Sequence, residues 1–157
     1  MPARLPALLL HRARVCRGVA GLIEKTTKQT CLETGFRDRY GSAVQLSTQR
    51  ACTAEEALET MGAYREGSGQ TCPFDVLIID QHMEPAGGAM KGTQLVEVLS
   101  KRSYAGPHRL VLAIASGNAD NPSDAAYFRA CGASIVWPKP YPRPAAMSQS
   151  LAMAMES

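Results

Sequence analysis

Residues 74–85 read FDVLIIDQHMEP, an apolar run that stops on a single carboxylate. Val76, Leu77, Ile78 and Ile79 are consecutive apolar residues, most of them β-branched, a pattern suited to a strand covered on both faces of a parallel sheet. Such a strand cannot keep a charge at its centre, so Asp80 marks its carboxyl end, where open α/β sheets place their ligand crevices. Asp80 is therefore the leading candidate for a reactive group, although aspartate also serves simply to open turns.

Two later stretches repeat the arrangement. Arg109 to Ala115 (RLVLAIA) reads as a strand followed by the hydroxyl of Ser116, and Ser134 to Trp137 as a strand followed by Lys139-Pro140. A carboxylate, a hydroxyl and an ammonium at the carboxyl ends of successive parallel strands converge on one crevice. That set suits a phosphoryl group: Asp80 attacks as nucleophile while Ser116 and Lys139 hold the phosphoryl oxygens.

With these residues in place, the chain resembles the receiver domain of two-component response regulators. Asp80 with Met83 and Pro85 resembles the phosphoacceptor stretch, Ser116-Gly117-Asn118 the hydroxyl position, and Gly132-Ala133 through Lys139-Pro140 the final strand and lysine-proline pair. The resemblance spans about residues 7–145 and implies an α/β fold: a doubly wound, five-stranded parallel sheet of flavodoxin-like order 2-1-3-4-5, with helices on both faces. In that order the end of the first strand lies beside Asp80.

Composition is compatible with this reading. The 157 residues suit a single domain, 45% hydrophobic and 20% charged, with a core over about 7–145 and a C-terminal helix over about 145–156. Net charge is +3, and the basic residues are dispersed without interleaved aromatics, which argues against nucleic-acid binding. No stretch is long and apolar enough for a membrane span. Five separated cysteines without a CxxC pair point to free thiols in a reducing compartment, and a cytoplasmic location is expected. The acid-free, arginine-bearing start has no serine and too short an apolar core for a secretory signal, so it is read as a first strand.

Along the chain, Ala7 to Leu10 is predicted as that strand, ending at His11-Arg12, and Val15 to about Cys31 as a helix. Residues 34–42 form a polar insertion, and Ala43 to Leu46 a short edge strand. Thr53-Ala54-Glu55-Glu56 has the spacing of a capping box. Helices are expected over Thr93 to Lys101, over Asp124 to Cys131 with Ser123 as cap and Gly132 as terminator, and from about Ala145, with Met147, Leu151 and Ala154 inward. Gly87 to Thr93 nearly matches a phosphate-binding P-loop, but Lys91 precedes the second glycine instead of following it.

The chain departs from the resembled family most consequentially after the first strand. Receivers carry two acidic residues after the first strand, which with the phosphoacceptor hold Mg²⁺; here His11 and Arg12 occupy the expected positions, and no acid precedes Glu24. Three carboxylates and a lysine would total −2, whereas Asp80, Arg12 and Lys139 total +1. A unit charge reversed at about 5 Å in an effective dielectric near 20 is worth roughly 3 kcal/mol per pair, enough to oppose Mg²⁺ binding. The expectation is a pseudo-receiver with impaired phosphorylation at Asp80, no catalytic turnover beyond self-phosphorylation, and no cofactor unless the site proves functional, in which case Mg²⁺.

Alternatives are a working phosphoacceptor, with Arg12 neutralising the phosphoryl group; an ion held by His11, Asp80 and His82; and, more remotely, a small nucleotide-binding enzyme. The switch aromatic expected three residues before the lysine is replaced by Val136, with Trp137 pointing to the opposite face of its strand. Expected partners are a histidine kinase, a phosphotransfer protein or other domains of a parent chain, with homodimerisation left open.

Overall fold

The alternation of short apolar runs with amphipathic segments becomes alternating strands and helices. A computed structural model describes residues 13–18, 46–62, 74, 76–83, 87–102 and 110–157. Among them the elements are β1 (Ala13–Gly18), β2 (Leu46–Ala51), α1 (Ala54–Gly62), β3 (Val76–Asp80), α2 (Gly92–Ser100), β4 (Val111–Ser116), α3 (Pro122–Ala130), β5 (Ile135–Pro138) and α4 (Pro144–Glu156). The strands form one parallel sheet in the order β2-β1-β3-β4-β5, the order expected.

The continuous apolar character of β3 and β4 follows from cover on both faces. Leu77 and Ile79 of β3 and Leu112 and Ile114 of β4 point into a cluster with Ala54, Ala57 and Met61 of α1, Leu95, Val96 and Leu99 of α2, and Phe128 of α3. The alternate residues Val76, Ile78, Val111 and Ala113 pack with Ile135 and Trp137 of β5 against Met147 and Leu151 of α4. Trp137 thus belongs to the core under α4, while Val136 packs with the opposite cluster.

Local signals set several boundaries. The Thr53 hydroxyl accepts the Glu56 N–H at 3.1 Å, which starts α1 as the capping spacing predicts, while the Glu56 carboxylate reaches one residue further back and accepts the Cys52 N–H. Helix α3 ends at Gly132, whose φ of +114° is the left-handed conformation glycine adopts without cost. Its start differs from expectation: Asn121, not Ser123, is the cap, with Oδ1 accepting the Ser123 N–H at 2.9 Å. Pro122 then occupies the first helical turn, where its missing N–H is harmless.

The first part of the chain corrects two expectations. The first strand is Ala13–Gly18, not Ala7 to Leu10, so residues 15–18 are strand and not the start of a helix. The second strand is Leu46–Ala51, not Ala43 to Leu46. Residue-by-residue pairing from Ala13↔Leu46 to Gly18↔Ala51 defines both. Ser47, Thr48, Gln49 and Arg50 give β2 no apolar signature, because a strand at the sheet edge is held mainly by main-chain hydrogen bonds. Residues 7–10, the rest of the expected first helix and the 34–42 insertion lie outside the described residues.

Candidate functional site

Asp80 closes β3 and is 1% exposed, a buried carboxylate at the carboxyl edge of the sheet. Among the described residues Lys139 pairs with it, its Nζ 2.7 Å from Asp80 Oδ1 and its side chain 26% exposed. The lysine follows β5, two strands from β3, a separation of about 10 Å at ordinary strand spacing. The intervening strand presents Ala115 directly opposite Asp80, and a methyl group leaves room for the lysine stem to cross. At the same level the Ser116 carbonyl accepts the Lys139 N–H at 3.1 Å, fixing where the lysine leaves the sheet.

Ser116, 4% exposed, ends β4 opposite Pro138. Its hydroxyl accepts the Asn118 N–H at 3.2 Å, and its carbonyl also accepts the Ala119 N–H at 3.2 Å, so it anchors the turn into α3. Asp80, Ser116 and Lys139 therefore stand at the carboxyl ends of three adjacent strands, the juxtaposition anticipated from spacing. Buried carboxylates of this kind persist when paired and hydrogen-bonded.

His82, two residues after Asp80, is exposed, whereas Met83 is buried in the cluster beneath α1 and α2. Among the described residues no group of three His, Cys, Asp or Glu side chains is placed to hold a metal ion. His11 and Arg12 lie outside the described residues. The premise that they follow the first strand fails, because β1 begins at Ala13 and its carboxyl end is Gly18. The chain after β1 reads Val19-Ala20-Gly21-Leu22-Ile23.

Three residues that the sequence reading did not place at this site link the end of β3 to α2 and α1. Gln81, directly after Asp80, is buried; its Oε1 accepts the Thr93 N–H at 3.0 Å and its Nε2 donates to Thr93 Oγ1 at 3.3 Å. Gly92 donates its N–H to the Gln81 carbonyl at 3.0 Å, which seats α2 on the end of β3. Packing thus accounts for the glycine of the near-miss P-loop. Glu55, in the first turn of α1, accepts the N–H groups of Ala89 at 3.0 Å and Met90 at 2.8 Å through one oxygen. Its own main-chain amide, those of Met90 and Ala89 and the Thr53 hydroxyl hold its carboxyl below the usual 4.5, against a smaller opposing effect of burial. Only its place near a helix start was visible in sequence.

Comparison with solved structures finds the same fold in a sensor protein, a signal receiver domain and a response regulator. A sensor protein from Polaromonas sp. JS666 superposes with a TM-score of 0.64 at 17% identity, over 92% of this chain and 96% of that one. The signal receiver domain of an HD domain-containing protein from Pseudomonas fluorescens Pf-5 gives 0.62 at 16% identity, over 93% and 96%. An atypical orphan response regulator, whose structure was described as revealing a phosphorylation-independent regulatory mechanism, gives 0.60 at 12% identity, over 91% and 95%. No protein-family model and no curated protein matches the chain. The architecture is that of a response-regulator receiver domain, the doubly wound flavodoxin-like fold.

Proposed function

We propose that the chain is a receiver-like signalling domain of a two-component phosphorelay in which Mg²⁺-dependent phosphorylation of Asp80 is impaired and the fold acts as a protein-interaction module. The observation that carries this reading is the acid-free strand beside Asp80. β1 pairs directly with β3, with Arg17 opposite Ile78, so the chain leaving β1 after Gly18 is the natural source of a second carboxylate. No Asp or Glu occurs anywhere in residues 1–23.

Asp80 and Lys139 then sum to zero charge, nearer neutral than the count that included Arg12. A hard dication that needs several oxygen ligands gains little from one carboxylate already 2.7 Å from an ammonium. Among the described residues the donor set is one carboxylate, which suits Mg²⁺ poorly. Without the ion, charge developing on a transferred phosphoryl group would be met chiefly by Lys139. Such a domain has no turnover of its own and serves as a constitutive docking element for a histidine kinase, a phosphotransfer protein or other domains of a parent chain. The phosphorylation-independent mechanism ascribed to one structural neighbour supports this mode.

A second reading, a working phosphoacceptor, is favoured by Ser116 and Lys139 at the ends of the next two strands, with Lys139 paired to Asp80. Incubation with a small-molecule phosphodonor, with and without Mg²⁺, followed by intact-mass measurement, separates the two. The pseudo-receiver reading expects no adduct in either condition. A Mg²⁺-dependent adduct that disappears in Asp80→Asn overturns it, and a metal-independent one assigns Lys139 the role of neutralising the phosphoryl group.

A further inference from the structure

Hydrogen bonds, short main-chain links and one close packing contact connect Asp80 with the start of α2 and with α1. The first link is Gln81, which grips Thr93 through both side-chain atoms and Gly92 through its carbonyl. The second is the bare Cα of Gly92, where a Cβ would collide with the Asp80 carbonyl oxygen, so the start of α2 packs directly on residues 80 and 81. Just ahead of α2 come Met90 and Ala89, whose amides both donate to Glu55 Oε1. An ionised acceptor makes such bonds roughly twice as strong as a neutral one. Glu55 in turn stands in a helix fixed by its Thr53–Glu56 cap and by buried Ala54, Ala57 and Met61.

We propose that Glu55 is a positioning residue that couples the Asp80 crevice to α1. These bonds span 34 and 35 residues of sequence, so they join two separate elements and are not part of local helix capping. A change of charge at Asp80, by modification or by loss of its lysine partner, reaches α2 through Gln81 and Gly92 and reaches α1 through Glu55. The coupling is independent of whether Asp80 accepts a phosphoryl group. A chain of contacts amounts to coupling only when a perturbation at one end moves the other.

The test is a set of backbone amide spectra of the full chain for wild type, Asp80→Asn, Glu55→Ala and the double variant. Asp80→Asn is expected to shift Gly92, Thr93, Ala89, Met90 and the α1 amides. In the Glu55→Ala background Gly92 and Thr93 still respond and α1 does not, while Glu55→Gln, which keeps an acceptor oxygen, restores part of the α1 response. Amide exchange at Ala89 and Met90 is expected to accelerate in Glu55→Ala. An α1 response of equal size without Glu55, or unchanged exchange at the two amides, overturns the proposal. If Glu55→Ala does not fold, the same comparison between Glu55→Gln and wild type decides it: an undiminished α1 response refutes the coupling. The experiment uses neither phosphodonor nor metal, so its failure is distinct from failure of the pseudo-receiver reading.

Discussion

Gly92 lies against the main-chain oxygen of Asp80 with no room between them for a side chain. A Cβ built on Gly92 would also sit 2.9 Å from Ile79 Cγ2 and 3.0 Å from the Gln81 Cα, and the oxygen it meets is backbone that cannot swing aside. Gly92→Ala is therefore expected to destabilise the fold by about 1–3 kcal/mol, the usual cost of forcing an extra methyl into a packed site. Urea unfolding checks this, and an unchanged midpoint would contradict the close seating of α2 on β3.

The Asp80–Lys139 pair predicts a non-additive mutant series. Removing one partner of a buried ion pair typically costs about 3–5 kcal/mol, and with part of the lysine exposed, Lys139→Met belongs at the lower end. Asp80→Asn removes the buried charge along with the pair and should cost less. Adding Lys139→Met to Asp80→Asn should then cost little, a coupling readable from a double-mutant cycle in denaturant.

Glu55 predicts a pH dependence with a definite sign. Its carboxyl is held below the ordinary 4.5 in the folded chain, so the folded state favours the ionised form. The stabilisation is present in full above the unfolded value and is lost as pH falls through the lower folded value. Wild type should exceed Glu55→Gln in stability at neutral pH, and the gap should close in acid. A gap that widens on acidification would show that the loop amides do not favour the charged carboxylate.

Trp137, the sole tryptophan, donates its indole N–H to Ser150 Oγ at 3.0 Å and meets the Tyr141 ring edge-on, which ties β5 to α4. Ser150→Ala should cost about 1 kcal/mol, the usual worth of such a bond, and alter tryptophan emission. Leu151→Ala, which empties a fully buried position under the same helix, should cost about 2–5 kcal/mol. Thermal or urea melts followed by fluorescence measure both.

If the crevice does not hold Mg²⁺, millimolar magnesium should leave the melting temperature of the wild-type chain unchanged, because only a ligand that binds the folded state raises it. Calcium at the same ionic strength serves as the control for nonspecific salt effects. A rise specific to magnesium and absent in Asp80→Asn would reveal oxygen ligands beyond Asp80.

How much of this was readable without coordinates differs from element to element. The strands bearing Asp80, Ser116 and Lys139 were legible because cover on both faces leaves unbroken apolar runs, and a polar residue can enter only at their ends. The α1 cap, the Gly132 terminator and the Met147–Leu151 stripe were legible because their causes are local. The acid-free start is likewise a property of sequence alone.

Tertiary structure decided the remainder. The place of β1 could not be read from Leu8-Leu9-Leu10, because strand pairing is made by main-chain groups that every residue carries. That placement removed the premise that His11 and Arg12 follow the first strand. Lys139 was legible as a cation at a strand end, but its reach across Ala115 to Asp80 depends on strand order and on the small residue between. Glu55 looked like any acid in a first helical turn; only the folded chain brings Ala89 and Met90 to it, since hydrogen bonds between distant segments leave no periodicity in the residues that make them.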